Sequence, residues 1–135
     1  MEPVYIAFGL FVLITAYNYL KPQGGRNYSS LDSEEAYEML QKPDDVLLID
    51  VRERNEYNNE HLQGAKNIPL NQMEKQVGKL PRDKDIVIYC LTGARSIRAI
   101  RMLEVAGFTR LFHMHQGLRG WNKKGYHTRK GRVSK

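Results

Sequence analysis

Residues 85–108 read DIVIYCLTGARSIRAIRMLEVAGF, and this stretch decides the fold. It begins with a short run of branched apolar residues, which is typical of a strand buried on both faces. Its second half repeats apolar residues at helical spacing and ends at Gly107, a residue type that commonly terminates helices. A strand that leads directly into a helix predicts one βα unit. The only cysteine of the chain, Cys90, lies at the turn between the two elements.

The rest of the chain repeats this alternation. Apolar runs at residues 46–51 (VLLIDV) and 109–115 (TRLFHMH), and a weaker one at 64–70 (GAKNIPL), are predicted strands. Residues 30–40 contain the D-x-x-E spacing of a capping box and an apolar stripe, which predicts a helix. Strands that alternate with helices predict an α/β domain with a mainly parallel central sheet flanked by helices.

The turn after Cys90 has the composition of a reactive-cysteine site. Sites in parallel α/β sheets form at the carboxyl ends of strands, and Cys90 ends its predicted strand. Gly93 permits a tight curl of inward-pointing backbone N–H groups, the next helix presents its positive end, and Arg95 adds a full charge. These effects lower the pKa of a thiol and favour an anion beside it. A buried, inert cysteine is the alternative interpretation.

Three motifs, in chain order, resemble those of single-domain rhodaneses, which are sulfurtransferases. CLTGARS is similar to the family's C-x-x-G-x-R-S/T active-site loop. LLIDVRERNEYNNEHLQGAKNIPL resembles its D-V-R-x-x-x-E-Y-x-x-G-H-I-x-G-A-x-N-I-P stretch, and AGFTRLFHMHQGLRGW resembles its A-G-F-x-x-V-x-x-L-x-G-G-x-x-G-W close. The resemblance covers residues 28–121. Two positions depart from the pattern: Glu60 replaces the Gly before His61, and Gln116 replaces the first Gly of the G-G pair.

The resemblance implies a rhodanese-like fold and transfer of a sulfane sulfur through a persulfide on Cys90. The donor would be a small anion such as thiosulfate, and a thiol or a protein would accept the sulfur. Arg95 is expected to hold the donor's anionic group and support the thiolate. Ser96 is expected either to cap the next helix or to take part in the chemistry. The predicted substrate-binding residues are Leu91, Thr92, Gly93, Ala94, Arg95 and Ser96. The predicted supporting residues are Asp50, Arg52 and His61. Asp50 would pair with Arg52 or Arg95. No metal or organic cofactor is expected.

Other functions stay open at this point. Cell-cycle dual-specificity phosphatases resemble the predicted architecture, but their loop places the arginine one residue later than Arg95, so phosphatase or arsenate reductase chemistry is the weaker interpretation. A binding or persulfide-sensing module without significant turnover would also retain Cys90. His113 and His115 would face the same side of a strand, which suits a metal, but the sequence offers no evident third ligand.

Residues 4–20 (VYIAFGLFVLITAYNYL) form an uncharged apolar run. A helix of this length spans roughly 26 Å, near the ~30 Å of a bilayer core, and tyrosines near its ends suit the membrane interface. Lys21 and Arg26 follow it. We therefore expect residues 1–21 to be a single-pass anchor in the cell membrane, with the catalytic domain cytoplasmic. A cleaved signal peptide and a buried core helix are the alternatives.

The remaining boundaries follow from composition. Residues 22–27 are a predicted linker, residues 28–125 the rhodanese domain and residues 126–135 a basic, flexible tail. The net charge of +6 favours anionic small molecules or membrane surfaces, and one cysteine excludes an internal disulfide. The expected partners are a small anionic sulfur donor, a thiol or protein acceptor and the membrane at residues 4–20. No nucleic-acid recognition motif is evident, so nucleic acid is not an expected partner.

Overall fold

The computed structural model of the chain describes residues 3–20 and 27–131. Five parallel strands form one sheet in the order β1-β5-β4-β2-β3. The strands are β1 (Tyr28–Leu31), β2 (Val46–Asp50), β3 (Lys66–Asn67), β4 (Asp85–Tyr89) and β5 (Leu111–Met114). The α-helices are α1 (Pro3–Leu20), α2 (Ser33–Met39), α3 (Arg54–Asn59), α4 (Met73–Gln76), α5 (Ala94–Val105) and α6 (Gly117–Lys123). Short 3-10 helices lie at Pro43–Asp45, Leu70–Gln72 and Val77–Lys79. The predicted α/β fold with a parallel sheet flanked by helices is confirmed.

Strand β4 lies in the middle of the sheet, and its side chains alternate between two apolar cores. Ile86 and Ile88 pack into one core with side chains of α4 and α5. Val87 and Tyr89 pack on the opposite face with side chains of α2, α3 and α6. Because helices cover both faces, this strand is apolar from Ile86 onward instead of at every second position.

The strand order brings the carboxyl ends of β2, β4 and β5 together. Asp50, the last residue of β2, is in register with Tyr89, the last residue of β4. On the other side, Ile88 of β4 is in register with His113 of β5. Cys90 follows Tyr89 directly, so residues from two neighbouring strands flank it at the edge where open α/β sheets form their sites.

The N-terminal helix α1 does not match the predicted membrane anchor. It has 18 residues, about 27 Å at about 1.5 Å per residue. Polar groups of three tyrosines and Thr15 interrupt its apolar sequence. In the described parts of the chain, no helix is long and apolar enough to cross a membrane. The anchor at residues 1–21 and the membrane contact at residues 4–20 are therefore not supported, and the predicted single-pass localisation in the cell membrane is wrong.

The segments on either side of the domain differ in how much of them is described. The predicted linker at residues 22–27 lies outside the described residues except at its last position. Residues 126–131, the first part of the predicted flexible tail, lie against the domain, where Arg129 and His61 exchange backbone hydrogen bonds of 2.7 and 2.8 Å. The rest of that tail, residues 132–135, lies outside the described residues.

Candidate active site

The loop after β4 folds around the sulfur of Cys90. Cys90 Sγ accepts the backbone N–H of Gly93 at 3.0 Å and that of Ser96 at 3.4 Å. The hydroxyl oxygen of Ser96 lies 3.4 Å from the same sulfur. Cys90 is only 1% exposed. The thiol is therefore covered by the protein, and its sulfur is bonded to the polar groups of the loop.

These contacts control the ionisation of the thiol. Burial raises the pKa of Cys90, but hydrogen bonds from the Ser96 hydroxyl and from the backbone N–H groups of Ser96, Gly93 and Thr92 outweigh burial and leave this pKa below its ordinary value. Donors aimed at the sulfur stabilise the charged thiolate more than the neutral thiol. The loop therefore favours the nucleophilic form of the cysteine.

Two glycines allow the backbone to close around this loop. Gly93 has a φ of +102° and Gly117 a φ of +61°, conformations that residues with a Cβ atom rarely adopt. A Cβ atom on Gly93 would overlap the carbonyl oxygen of His115, and a Cβ atom on Gly117 would overlap the carbonyl oxygens of Leu91 and Cys90. The turn between β5 and α6 thus supports the cysteine loop by direct backbone contact.

Ser96 lies inside the site and does not cap α5. The helix begins at Ala94, and its N-cap is Gly93 without a side-chain capping bond, so the predicted capping role of Ser96 is wrong. Ser96 Oγ is 3.2 Å from the Gly93 carbonyl oxygen and 2.7 Å from His113 Nε2. The hydroxyl therefore lies between the Cys90 sulfur and a buried histidine of β5.

Arg95 is bound to a carboxylate that the sequence analysis did not single out. Its two terminal nitrogens, Nη1 and Nη2, donate to Glu56 Oε2 and Oε1 at 2.7 and 3.0 Å. This hydrogen bonding lowers the pKa of Glu56 and raises the pKa of Arg95. The sequence did contain a sign of this partner, because Glu56 is the Glu of the E-Y pair in the second motif. Among the described residues, the hydrogen bonds to the Cys90 sulfur come from backbone N–H groups of its own loop and from the Ser96 hydroxyl, not from the Arg95 side chain.

Asp50 and Arg52 form a buried ion pair at the end of β2. Arg52 Nη2 and Asp50 Oδ2 are 2.8 Å apart, and the two side chains are 4% and 0% exposed. Of the two partners that the sequence allowed for Asp50, the structure selects Arg52. Burial lowers the pKa of Arg52, but the bonds to Asp50 oppose this and raise it overall. Arg52 also donates to the Glu60 carbonyl oxygen, so both buried charged side chains have hydrogen-bond partners.

His61 is tied to α3. Its Nδ1 lies 2.8 Å from the carbonyl oxygen of Tyr57. The His61 ring is stacked on the Tyr57 ring, with centres 3.8 Å apart. The Tyr57 hydroxyl in turn donates to the Ala65 carbonyl oxygen at 2.7 Å. These contacts fix the segment between α3 and β3, and none of them involves Cys90.

The two histidines of the H-M-H sequence have different environments. His113 is buried and bonded to Ser96, whereas His115 is exposed. Within residues 3–20 and 27–131, no three side chains of the His, Cys, Asp or Glu type cluster as metal ligands would.

The two departures from the family pattern fit their surroundings. Glu60 has a φ of −166° and Gln116 a φ of −87°, which are backbone conformations that any residue adopts. Gln116 Oε1 accepts the backbone N–H and the hydroxyl of Ser33 at 3.1 and 3.0 Å. Glu60 Oε1 accepts the hydroxyl of Thr128 at 3.0 Å. Neither position requires glycine, and both side chains join separate parts of the chain.

Comparison with known proteins adds to this geometry. The family model described as "Rhodanese-like domain" matches residues 32–124. The uncharacterized protein YqhL of Bacillus subtilis is 34% identical over 121 residues, which are 90% of this chain and 92% of that protein. A protein of Allochromatium vinosum named "Sulfurtransferase" is 32% identical over 97 residues, or 72% of this chain and 91% of that protein. The crystal structure of a rhodanese-related protein from Thermoplasma volcanium superimposes with a TM-score of 0.69 at 26% identity, covering 76% of this chain and 98% of that one.

Proposed function

Because the chain belongs to the rhodanese-like domain family, we propose that it is a sulfurtransferase that carries a sulfane sulfur on Cys90. One observation carries this proposal: the Cys90 sulfur accepts two backbone N–H groups beside the Ser96 hydroxyl, at the amino end of α5. The relative named as a sulfurtransferase supports the class of reaction. We further propose thiosulfate as the donor and a Cys90 persulfide as the covalent intermediate.

The reaction has two steps. In the first, the Cys90 thiolate attacks the outer sulfur of an anionic donor such as thiosulfate. A new S–S bond forms, the S–S bond of the donor breaks, and sulfite leaves with the electron pair. In the second, a thiolate or cyanide attacks the outer sulfur of the Cys90 persulfide and regenerates the Cys90 thiolate. Sulfur is exchanged between nucleophiles in both steps, so neither step requires an external oxidant or reductant.

The donor's anionic end needs positive charge near the loop. Arg95 is about one-third exposed and is held in place by Glu56. The amino end of α5 adds the partial positive charge of its free N–H groups. Arg95 is therefore the side chain we assign to the donor's sulfonate, and the loop amides of residues 91–96 are assigned to the sulfur.

Burial of Cys90 shapes the second step. Cys90 is 1% exposed, so an acceptor has little access to Cys90 Sγ. Persulfidation places the reactive atom one S–S bond, about 2.05 Å, beyond Cys90 Sγ. The outer sulfur is also bonded to no carbon, so it is the atom that an acceptor attacks. The acceptor therefore has to reach the terminal sulfur of the persulfide and not Cys90 Sγ.

The same burial favours a second candidate function, a module that stores a persulfide without significant turnover. A covered cysteine whose thiolate is stabilised by the loop would retain its sulfur until a matched protein partner docks. In this case the protein accepts sulfur from thiosulfate once, and small acceptors do not remove it.

One experiment separates these functions. Purified protein and its Cys90→Ser variant are treated with thiosulfate and analysed by intact-mass spectrometry, and thiocyanate is then measured after addition of cyanide. We expect one added sulfur atom on the wild-type protein, none on the variant, and many thiocyanate molecules per protein. A single loading without turnover would identify the storage module. A folded wild-type protein that gains no sulfur would exclude both functions.

Phosphatase chemistry is tested in the same preparation. The arginine of the loop lies one residue closer to the cysteine than in the phosphatase loop, so the loop is smaller than one that binds phosphate. We expect no hydrolysis of an aryl phosphate. Hydrolysis that disappears in the Cys90→Ser variant would favour the phosphatase instead.

A further inference from the structure

The hydroxyl of Ser96 has three hydrogen-bonding neighbours and one proton. Its oxygen lies 2.7 Å from His113 Nε2, 3.2 Å from the carbonyl oxygen of Gly93 and 3.4 Å from the Cys90 sulfur. Ser96 is fully buried and His113 is 6% exposed. With so little exposure of either residue, the three protein neighbours decide where the hydroxyl proton points.

The position of the ring proton of His113 determines this choice. A hydroxyl donates one hydrogen bond and accepts two, and a carbonyl oxygen only accepts. If His113 Nε2 carried no proton, it would be the nearest acceptor and would draw the Ser96 proton away from the sulfur. If Nε2 carries the proton, it donates to Ser96 Oγ, and the Ser96 proton is free to point at the sulfur. A thiolate attracts that proton more strongly than a neutral carbonyl does.

The surroundings of His113 favour a neutral ring with one proton. Burial lowers the pKa of His113, whereas the backbone carbonyl of Gly93 acts in the opposite direction, and the pKa stays below its ordinary value. The titratable groups that face the ring are Tyr28 of β1, whose ring meets it edge-on at 6.2 Å, and His115 from its own end of β5. The Gly93 carbonyl only accepts hydrogen bonds, so its interaction with the ring requires a protonated ring nitrogen.

We propose that His113 is a positioning residue for Cys90: its Nε2–H donates to Ser96 Oγ, and this directs the Ser96 hydroxyl proton to the Cys90 sulfur. The inference rests on the proposed function, because it assigns the residue that keeps the nucleophile of that reaction in its thiolate form. His113 itself touches neither the sulfur donor nor the transferred sulfur. It acts through Ser96: donating to Oγ polarises the Ser96 hydroxyl and leaves its proton for the sulfur.

The tautomer is measured first, on the unaltered protein. Nitrogen NMR of the histidine side chains shows which ring nitrogen of His113 carries the proton near neutral pH. We expect the proton on Nε2, with Nδ1 unprotonated. A proton on Nδ1 alone would overturn the proposal, because the Ser96 hydroxyl would then donate to the histidine.

The second measurement is the pKa of Cys90, taken from thiolate ultraviolet absorbance across pH after subtraction of the Cys90→Ser variant. Replacing His113 by Leu removes the donor and keeps an apolar side chain in the buried site. Ser96→Ala removes the hydroxyl, and we expect the thiolate fraction at a fixed pH below the titration midpoint to fall about three- to tenfold, the effect of one lost hydrogen bond. His113→Leu is expected to lower the fraction by a smaller factor, because the Ser96 hydroxyl remains but is less polarised and is shared with the Gly93 carbonyl. The double variant is expected to match Ser96→Ala, since His113 acts only through that hydroxyl.

Two further variants make the result specific. His113→Gln retains an N–H donor and is expected to restore most of the thiolate fraction, which a loss of packing alone would not allow. His115→Leu, at an exposed position next to the same strand, is expected to titrate like the wild-type protein. An unchanged midpoint in folded His113→Leu, or independent, additive effects of the two substitutions, would overturn the proposal. The titration uses no sulfur donor, so its outcome does not depend on whether the protein transfers sulfur.

Discussion

The guanidinium of Arg95 is held by the carboxylate of Glu56 through two hydrogen bonds, 2.7 and 3.0 Å long. The two residues are 39 positions apart in the chain, one on α3 and the other in the first turn of α5. Their bidentate geometry fixes the orientation of the arginine as well as its charge. The positive charge of Arg95 beside the cysteine loop is thus oriented by a residue of a second helix, α3.

Replacing Arg95 by Ala should separate donor binding from thiolate stabilisation. Loss of a charged hydrogen-bond donor is expected to raise the KM for thiosulfate about tenfold or more. The pKa of Cys90 should change little, because its lowering comes from hydrogen bonds of Ser96, Gly93 and Thr92 that oppose burial. Steady-state kinetics and thiol titration measure the two effects. Arg98→Ala, an exposed arginine on the same helix, is the matched control. A raised thiol pKa with an unchanged KM would contradict the assignment.

The Glu56–Arg95 pair also predicts how stability depends on pH. Hydrogen bonding to Arg95 lowers the pKa of Glu56 from its ordinary value of 4.5. A carboxyl group with a lowered folded-state pKa stabilises the fold above its ordinary pKa, and this contribution is lost as the pH falls through the folded-state pKa. Glu56→Gln should therefore lower the free energy of unfolding at neutral pH, by less than about 1 kcal/mol because the pair is partly exposed. In urea unfolding, the difference between the two proteins should vanish in acid. A difference that persists there would point to lost packing.

Gly93→Ala should destabilise the fold more than Gly64→Ala. Both glycines have positive φ, +102° and +82°, so both substitutions strain the backbone by about 1–2 kcal/mol. A Cβ atom on Gly93 would also overlap the His115 carbonyl oxygen, whereas one on Gly64 has nothing within 4 Å. We expect Gly93→Ala to cost over about 3 kcal/mol in total and to abolish persulfide formation. Equal losses of unfolding free energy in the two variants would show that the close backbone contact is unimportant.

The Asp50–Arg52 pair should be far more important for stability than an exposed pair of similar length. Asp50→Asn leaves a buried guanidinium without its counter-charge, which is expected to cost about 3–5 kcal/mol. Asp85 and Arg110 are also 2.8 Å apart, but their side chains are 30% and 45% exposed. Asp85→Asn is therefore expected to cost less than about 1 kcal/mol. Denaturant unfolding of both variants gives the comparison. A loss below about 1 kcal/mol in Asp50→Asn would mean that water or another group reaches Arg52.

The fold was predictable where neighbours in sequence are also neighbours in the structure. Residues 85–108 predicted a strand, a turn and a helix, and the structure has β4, the cysteine loop and α5 there. The backbone donors around Cys90 followed from the same reasoning, since they belong to residues within six positions of the sulfur. Local periodicity and residue type contain this information.

The choice of side-chain partners was not predictable in the same way. Arg95 is bound by Glu56 of α3, and Gln116 by Ser33, which is 83 positions away. His113 was considered, with His115, as a possible metal ligand, yet its Nε2 lies 2.7 Å from Ser96 Oγ. These pairings depend on which helices the sheet order brings together, and the sequence pattern does not specify that order. The membrane anchor was predicted from the length, apolar character and flanking charges of residues 4–20, but no helix among the described residues is long and apolar enough to cross a membrane.

The backbone bridge between His61 and Arg129 is continued by a second contact to α3. Gly131 N–H donates to the carbonyl oxygen of Asn58 at 2.7 Å, and Asn58 belongs to α3, the helix that also bears Glu56. Residues 129–131 therefore hold α3, the helix whose Glu56 orients Arg95. Ending the chain before residue 131, or fusing an affinity tag directly at that point, would remove or disturb these bonds and so weaken the support of Arg95.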